Sequence, residues 1–332
     1  MRVASGNCAV LRRAVQNGEV VFSRRWEEFF HNFVRRVGAV GPGVGKAASQ
    51  PSRDVSRVLD DGVREEVGVD AELGRASRWD GDGAGSRETG PAASPGRVVT
   101  DLSHMPHLGD LFDAAKRGEA GERELTSALK GLERQYGPYH VRNVDALFER
   151  SSTQFGQTYP ATVTMSAEIR DSSGADAGLL MYEFWRDSDG LLVVNNEVTK
   201  LEDGFRGKGF STAFSSAIEA YLRRSGVDRI ELEAAREDGG YHWAKAGYDW
   251  NPDRIKLQRS VNLISIRIDK VIDDGLVPSG NDVARLMEMK SRFDGPVSGY
   301  PSPLELALLE GDDPKLGETL MRGSIWFGMK KL

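Results

Sequence analysis

The run Arg206-Gly207-Lys208-Gly209-Phe210-Ser211 carries the strongest chemical signal in this sequence. Two glycines separated by one residue allow a turn that other residues resist, and such a turn can aim successive backbone N–H groups in one direction. Where a helix begins at the end of the turn, those amides and the helix dipole together favour a phosphate group. Arg206 and Lys208 would add positive charge, while Gly207, Lys208, Gly209, Phe210 and Ser211 would supply amides. Taken alone, the same residues also describe a solvated turn, so the flanking elements have to decide.

Upstream, Leu191-Leu192-Val193-Val194 and Val198 read as a buried strand introduced by the turn Asp187-Ser188-Asp189-Gly190. Downstream, Phe210, Phe214, Ala217, Ile218, Tyr221 and Leu222 recur at helical spacing, and Gly226 stands where a left-handed residue ends such a helix. Ile230, Leu232 and Ala234 then alternate with Arg229, Glu231 and Glu233, which predicts a second strand. A right-handed crossover makes these two strands parallel, with the glycine turn at the carboxyl edge where α/β sheets bind ligands. Before them, residues 162–170 alternate apolar and polar, a polar turn follows at residues 171–174, and Leu180, Tyr182 and Phe184 continue the pattern. An antiparallel meander of three strands therefore feeds the turn. Earlier still, Leu108 to Arg117 and Glu122 to Tyr136 predict helices, and Tyr139 to Val144 a short strand.

With these elements in place, the region from Leu108 to Trp250 resembles the GNAT superfamily of N-acetyltransferases. Its acyl-CoA pyrophosphate loop has Arg or Gln, two residues, Gly, one residue, then Gly or Ala; Arg206, Gly209 and Ser211 occupy those places, Ser211 with a hydroxyl that can face a phosphate. A second motif, an aromatic, three residues, Gly and another aromatic, is matched by Trp243-Ala244-Lys245-Ala246-Gly247-Tyr248. The resemblance implies an α/β fold with a GNAT-like mixed central sheet, antiparallel meander plus parallel β-α-β unit, flanked by helices. It further implies acetyl-CoA as acyl donor, held by Arg206 to Ser211 and by backbone amides of the preceding strand around Val198, with transfer to a primary amine by direct attack on the thioester. The strands holding Val194 and Ile230 are then expected to splay apart beside Gly209.

Amide formation from a thioester needs a neutral amine, a polarised carbonyl and a proton for the departing thiolate. Within the strand before the loop Glu197 is the carboxylate available as base, and Asn195, two residues away on the same face, can position the acceptor. Glu183 and Glu202 are further carboxylates nearby. Solvent-facing or strand-facing roles are the bland alternative for all of them. Many superfamily members place Tyr at the position of Trp243 as the general acid. An indole N–H has no usable pKa, which leaves Tyr241 and His242 as neighbouring candidates.

The C-terminal part departs from the superfamily, whose members close with two more strands. Arg254 to Ile272 and Asp282 to Phe293 carry helical apolar spacing, and Ser302-Pro303-Leu304-Glu305 is an N-cap box that starts a third helix through Leu309. Gly323 to Met329 is the one late segment that reads as a strand. A C-terminal helical insert, about residues 253–320, is thus expected within a domain spanning residues 104–332; it could cap the acceptor side, mediate a homodimer or bind a partner.

Residues 1–103 differ in composition: Gly, Ala, Ser, Arg and Val dominate, Lys46 is the only lysine before Lys116, and Arg24 to Arg36 alone has helical periodicity. The segment is expected to be largely disordered, and Met105 suggests an overextended start. Gly41-Pro42-Gly43-Val44-Gly45-Lys46 resembles a P-loop, but Val40 stands where its first Gly belongs and Ala47 where it needs Ser or Thr. The lone Cys8 excludes an intrachain disulfide and points to a reducing, cytoplasmic setting. No apolar run approaches the ~20 residues of a membrane span. A net charge of -6 argues against general nucleic-acid affinity, aminoacyl-tRNA excepted. His104 and His107 lack companions for a metal site. The expected acceptor is a small-molecule or protein amine; the alternative is a non-catalytic module of the same fold, an effector or a phage- or toxin-associated domain.

Overall fold

The computed structural model describes residues 100–154, 157–234 and 238–332. Two helices come first, α1 (Leu108–Arg117) and α2 (Glu122–Leu129), followed by strands β1 (Gln135–Tyr136) and β2 (Tyr139–Glu149). A small hairpin, β3 (Ser152–Gln154) and β4 (Gln157–Tyr159), precedes the meander β5 (Thr162–Asp171), β6 (Asp176–Arg186) and β7 (Leu192–Leu201). Helix α3 (Phe210–Arg224) crosses to β8 (Val227–Ala234), and helix α4 (Gly239–Lys245) leads to β9 (Asp249–Trp250). Then come α5 (Arg254–Asp273), α6 (Gly280–Arg292), α7 (Pro303–Ala307) and α8 (Leu316–Met321), before β10 (Trp326–Lys331).

Eight strands form one mixed sheet in the order β1-β2-β5-β6-β7-β8-β10-β9. Neighbours pair antiparallel except β7 and β8, which run parallel. The fold class expected from the sequence is therefore the one observed, including the helical insert, which lies between β9 and β10. Two closing strands are present where one was expected: β10 inserts between β8 and β9, and β9 is only two residues long, too short to leave a periodic signal.

Strand alternation assigns the two faces. Leu180, Tyr182, Phe184, Val194, Ile230 and Leu232 are buried on the face beneath α1–α3. There the Tyr182 and Phe214 rings lie 6.1 Å apart, and Arg186 forms a fork with Asp113 at 2.8 and 3.1 Å. Glu183, Asn195, Glu231 and Glu233 belong to the opposite face. Helix α5 packs on that face over β8 and β10, where the Phe327 amide donates to Ser260 Oγ at 2.9 Å.

Several boundaries differ from expectation. The helix from Glu122 ends at Leu129 with a single 3₁₀ turn to Leu132, and Tyr136 lies in β1. A β-carbon on Gly131 would meet Met105 Cγ at 2.7 Å, and the Tyr136 ring stacks edge-on against Phe214 at 4.9 Å, so tertiary packing overrides the helical pattern. The strand expected to end at Val144 runs on to Glu149 across a bulge at Asn143, whose φ is 53°. Helix α7 begins at the Ser302 cap, whose Oγ accepts from Glu305 N at 3.1 Å, and ends at Ala307 rather than Leu309. Helix α8 and the hairpin β3–β4 were not anticipated. Of the segment expected to be disordered, residues 1–99, with the P-loop-like run and Cys8, lie outside the described residues. Leu102 and Met105 are buried, and Arg224 donates to their carbonyls at 3.0 and 2.7 Å.

Candidate functional site

The glycine run sits where the chain leaves β7. A 3₁₀ turn, Asp203–Phe205, follows the strand, and the Tyr139 hydroxyl donates to the Phe205 carbonyl. Gly207 and Gly209 both take left-handed backbone, with φ of 74° and 88°, which explains why glycine is needed at each. Gly209 is the N-cap of α3 and offers no capping side chain; the first helical amide with an acceptor among the described residues is that of Ala213, bonded to Gly209 O at 3.1 Å. The amides before it are the orphan donors of a helix N-terminus, and the helix dipole makes that end electropositive.

The basic side chains frame this turn from within the protein. Arg206 Nε donates to Leu201 O at 2.9 Å, and its guanidinium lies 3.3 Å from Asp203 and 4.0 Å from Asp238. Lys208 Nζ donates to Gly204 O at 2.9 Å and lies over the Phe205 ring. Phe210 buries its ring between Tyr136, Tyr139 and Phe214, so only its backbone faces the turn. Ser211 is half-buried in the first turn of α3.

Upstream of the turn the sheet opens. The parallel ladder of β7 and β8 holds Val194 opposite Ile230 and ends with Asn196 opposite Leu232, although β7 continues to Leu201 and β8 to Ala234. The opening thus begins two residues beyond the pair named from the sequence. Its cause is visible on the other edge of β7: Tyr182 pairs with Asn196 but Met181 with Val198, so Glu197 is an extra residue, a bulge that bends the strand. Bulges of this kind re-aim side chains and terminate pairing.

On the helix-covered side of the opening lie Asn196, Thr199, Tyr182 and Tyr248. Thr199 Oγ1 donates to Asn196 Oδ1 at 2.9 Å, which satisfies a buried amide. Burial raises the pKa of Tyr182 and of Tyr248, so both phenols stay protonated. Trp243 packs edge-on against Tyr248 at 5.3 Å.

On the other side lie Asn195, Glu197 and Glu233. Asn195 Nδ2 donates to Glu197 Oε1, so these two sequence-predicted residues are in contact. Glu233 is the first residue of β8 beyond the ladder on this face, and it pairs with Phe327 of β10. The Glu233 side chain remains reachable from solvent, yet the surrounding protein raises its carboxyl pKa, against the pull of Arg259 and Lys256. Sequence reasoning passed over Glu233 because Arg229, Glu231 and Glu233 look alike in alternation; only the point where pairing stops tells them apart.

The two acid candidates on α4 are placed differently. The Tyr241 hydroxyl accepts from Lys245 Nζ at 3.3 Å, and its ring lies between Lys245 and Arg322. Burial lowers the pKa of His242, which favours its neutral form. Val198 is half-buried in β7 just past the bulge; Glu183 pairs with Asn195 across β6 and β7, and Glu202 is exposed before the 3₁₀ turn. Among the described residues no group of three or more His, Cys, Asp or Glu is arranged to hold a metal, and no helix is long and apolar enough to cross a membrane.

No protein-family model matches this chain, and no curated protein matches it. Among solved structures the chain is similar to the GNAT domain of S. lividans PAT, at 16% identity with a TM-score of 0.21. That similarity covers 27% of this chain and 55% of the other, so the chain spans about half the length of that structure.

Proposed function

We propose that this protein is an acetyl-CoA-dependent N-acyltransferase that acts on a primary amine. The observation that carries the reading is the opening of the β7–β8 ladder at the Glu197 bulge, together with the uncapped start of α3 that follows β7 through the glycine turn. A phosphate-bearing donor with a long, narrow arm fits that pair of features: amides from Gly207 to Ser211 for the phosphates, and a gap in the sheet for the arm. Acetyl-CoA, when bound, supplies an activated acyl carbon.

The remaining work falls to the chain. Arg206 and Lys208 stiffen the turn through the carbonyls they hold, which presets the amides rather than leaving them to reorganise. Strand amides freed by the bulge around Val198 are available to polarise a carbonyl. Glu197 and Glu233 flank the gap on the side opposite α3, where an amine can approach. Glu233 is the better proton acceptor of the two, because its raised pKa brings it closer to working pH while one oxygen of Glu197 is engaged by Asn195. Asn195 and Glu197 then orient the acceptor.

A second reading, a binding or effector module that keeps the fold without turnover, is supported by Trp243, by the engagement of Tyr241 with Lys245 and by the burial of Tyr182 and Tyr248. None of these supplies an evident proton to a departing thiolate. Thiol release measured over a panel of amines, alongside the thermal shift caused by CoA, separates the two. Turnover that is lost in Glu233→Gln or Glu197→Gln supports the enzyme. A CoA shift without turnover supports the binding module, and neither signal removes acyl-CoA from the account.

A further inference from the structure

We propose that the acceptor is a small amino acid, with its amine at Glu233 and its carboxylate on Arg259. This rests on the acyltransferase reading and names the substrate class for the same site. The observation is a contiguous strip on the face opposite α3: Glu233 just past the end of the ladder, Phe327 in register beside it on β10, and the Arg259 guanidinium 5.3 Å above the Phe327 ring. The amine end of the strip lies at the gap, and the cationic end lies away from it, on the insert helix α5.

Charge bookkeeping favours a ligand over a purely structural role. Lys256, one turn before Arg259 on α5, is consumed by Glu231 at 2.7 Å. Arg229 is held by Asp187 and Glu231, both at 2.8 Å, and Arg322 by Asp238 and Glu318. Arg259 is exposed and has neither ion pair nor hydrogen bond among the described residues; its contact is the face of Phe327. A guanidinium held over an aromatic face leaves its N–H donors free for a carboxylate, which a guanidinium can receive in two bonds. Glu233 lies within its field, so the strip presents a negative group at the gap and a positive group beyond it. A zwitterion with ammonium and carboxylate matches both, whereas a simple amine leaves Arg259 unmatched.

The chemistry balances with these groups alone. The acceptor ammonium gives one proton to the Glu233 carboxylate, its nitrogen forms the new C–N bond as the thioester C–S bond breaks, and a second N–H proton neutralises the departing sulfur.

The test uses the full chain with acetyl-CoA and compares each amino acid with the amine formed by its decarboxylation, for example L-alanine with ethylamine. The expected result is a kcat/KM at least about tenfold higher for the acid of a matched pair. In Arg259→Gln that preference should collapse, mainly through KM for the acid, with Arg259→Lys restoring part of it and the CoA thermal shift retained in both variants. Equal or better turnover of the decarboxylated amine, or an Arg259→Gln loss that falls equally on both partners, overturns the assignment. Turnover of simple amines alone would overturn it while leaving the acyltransferase intact; absence of both turnover and CoA shift would remove both.

Discussion

Glu231 and Glu233 stand two residues apart on the same face of β8, yet one lies where the sheet is closed and the other where it has opened. Glu231 sits opposite Asn195 within the parallel ladder and is 7% exposed. Desolvation alone would push its pKa up, but Lys256 at 2.7 Å and Arg229 at 2.8 Å more than offset that and hold it below the ordinary value, while the Asn251 amide donates to it at 3.0 Å. Glu233, past the end of the ladder, meets only the distant fields of Arg259 and Lys256, and its pKa is raised instead. The difference teaches that a buried, well-paired carboxylate fastens the insert to the sheet, whereas an accessible, poorly paired one at a gap is free to take a proton.

The largest expected effect breaks the open side. Glu233→Gln keeps size and polarity but cannot accept a proton, and thiol release with an amine acceptor should fall by about 10²–10⁴-fold. Glu231→Gln should leave most of the rate and instead lower stability by about 2 kcal/mol, less than for a fully enclosed pair because Lys256 is partly exposed. Urea denaturation of both variants checks this. If Glu231→Gln loses the activity and Glu233→Gln the stability, the roles are reversed.

The pH dependence sharpens the same contrast through its sign. A raised carboxyl pKa means that Glu233 binds a proton in the folded chain where the unfolded chain has released it, so its contribution to stability is present at low pH and lost as pH rises through the folded value. Glu231 runs the other way: its contribution is complete above the ordinary glutamate value of 4.5 and is lost as pH falls through the depressed folded value. If Glu233 is the proton acceptor, as proposed, kcat should climb with pH along an acidic limb placed above 4.5, and Glu233→Gln should abolish that limb. A limb that persists in Glu233→Gln assigns it to another group, with Glu197 the first to test.

The turn, the crossover helix and the two parallel strands were legible because each carries its own local signal: left-handed glycines, a helical apolar stripe, and period-2 alternation. The Ser302 cap was legible for the same reason. What escaped were features set by pairing rather than by local preference. The bulge at Glu197 inserts one residue into a strand whose composition does not change, so nothing in Asn195-Asn196-Glu197-Val198 announces where the ladder ends. That single fact decides which glutamate of β8 faces the gap. Likewise, β9 is two residues long and exists only because β10 pairs with it, and Tyr136 leaves a helical pattern to fill the space under Phe214.

The smallest effect compares the two ends of α3. Gly209 begins the helix at the open edge with φ 88°, and Gly226 follows it at the closed edge with φ 72°. A β-carbon built on either glycine meets nothing within 4 Å, so alanine should cost only the strain of left-handed backbone, about 1 kcal/mol at each position. Two variants of equal stability should then differ in one respect. Gly209→Ala shifts the amides of the turn and adds a methyl group where a phosphate would lie, so the CoA thermal shift should shrink; Gly226→Ala should leave it intact. If both variants keep the full shift, the glycine turn is a helix start and nothing more, and the donor must be held elsewhere.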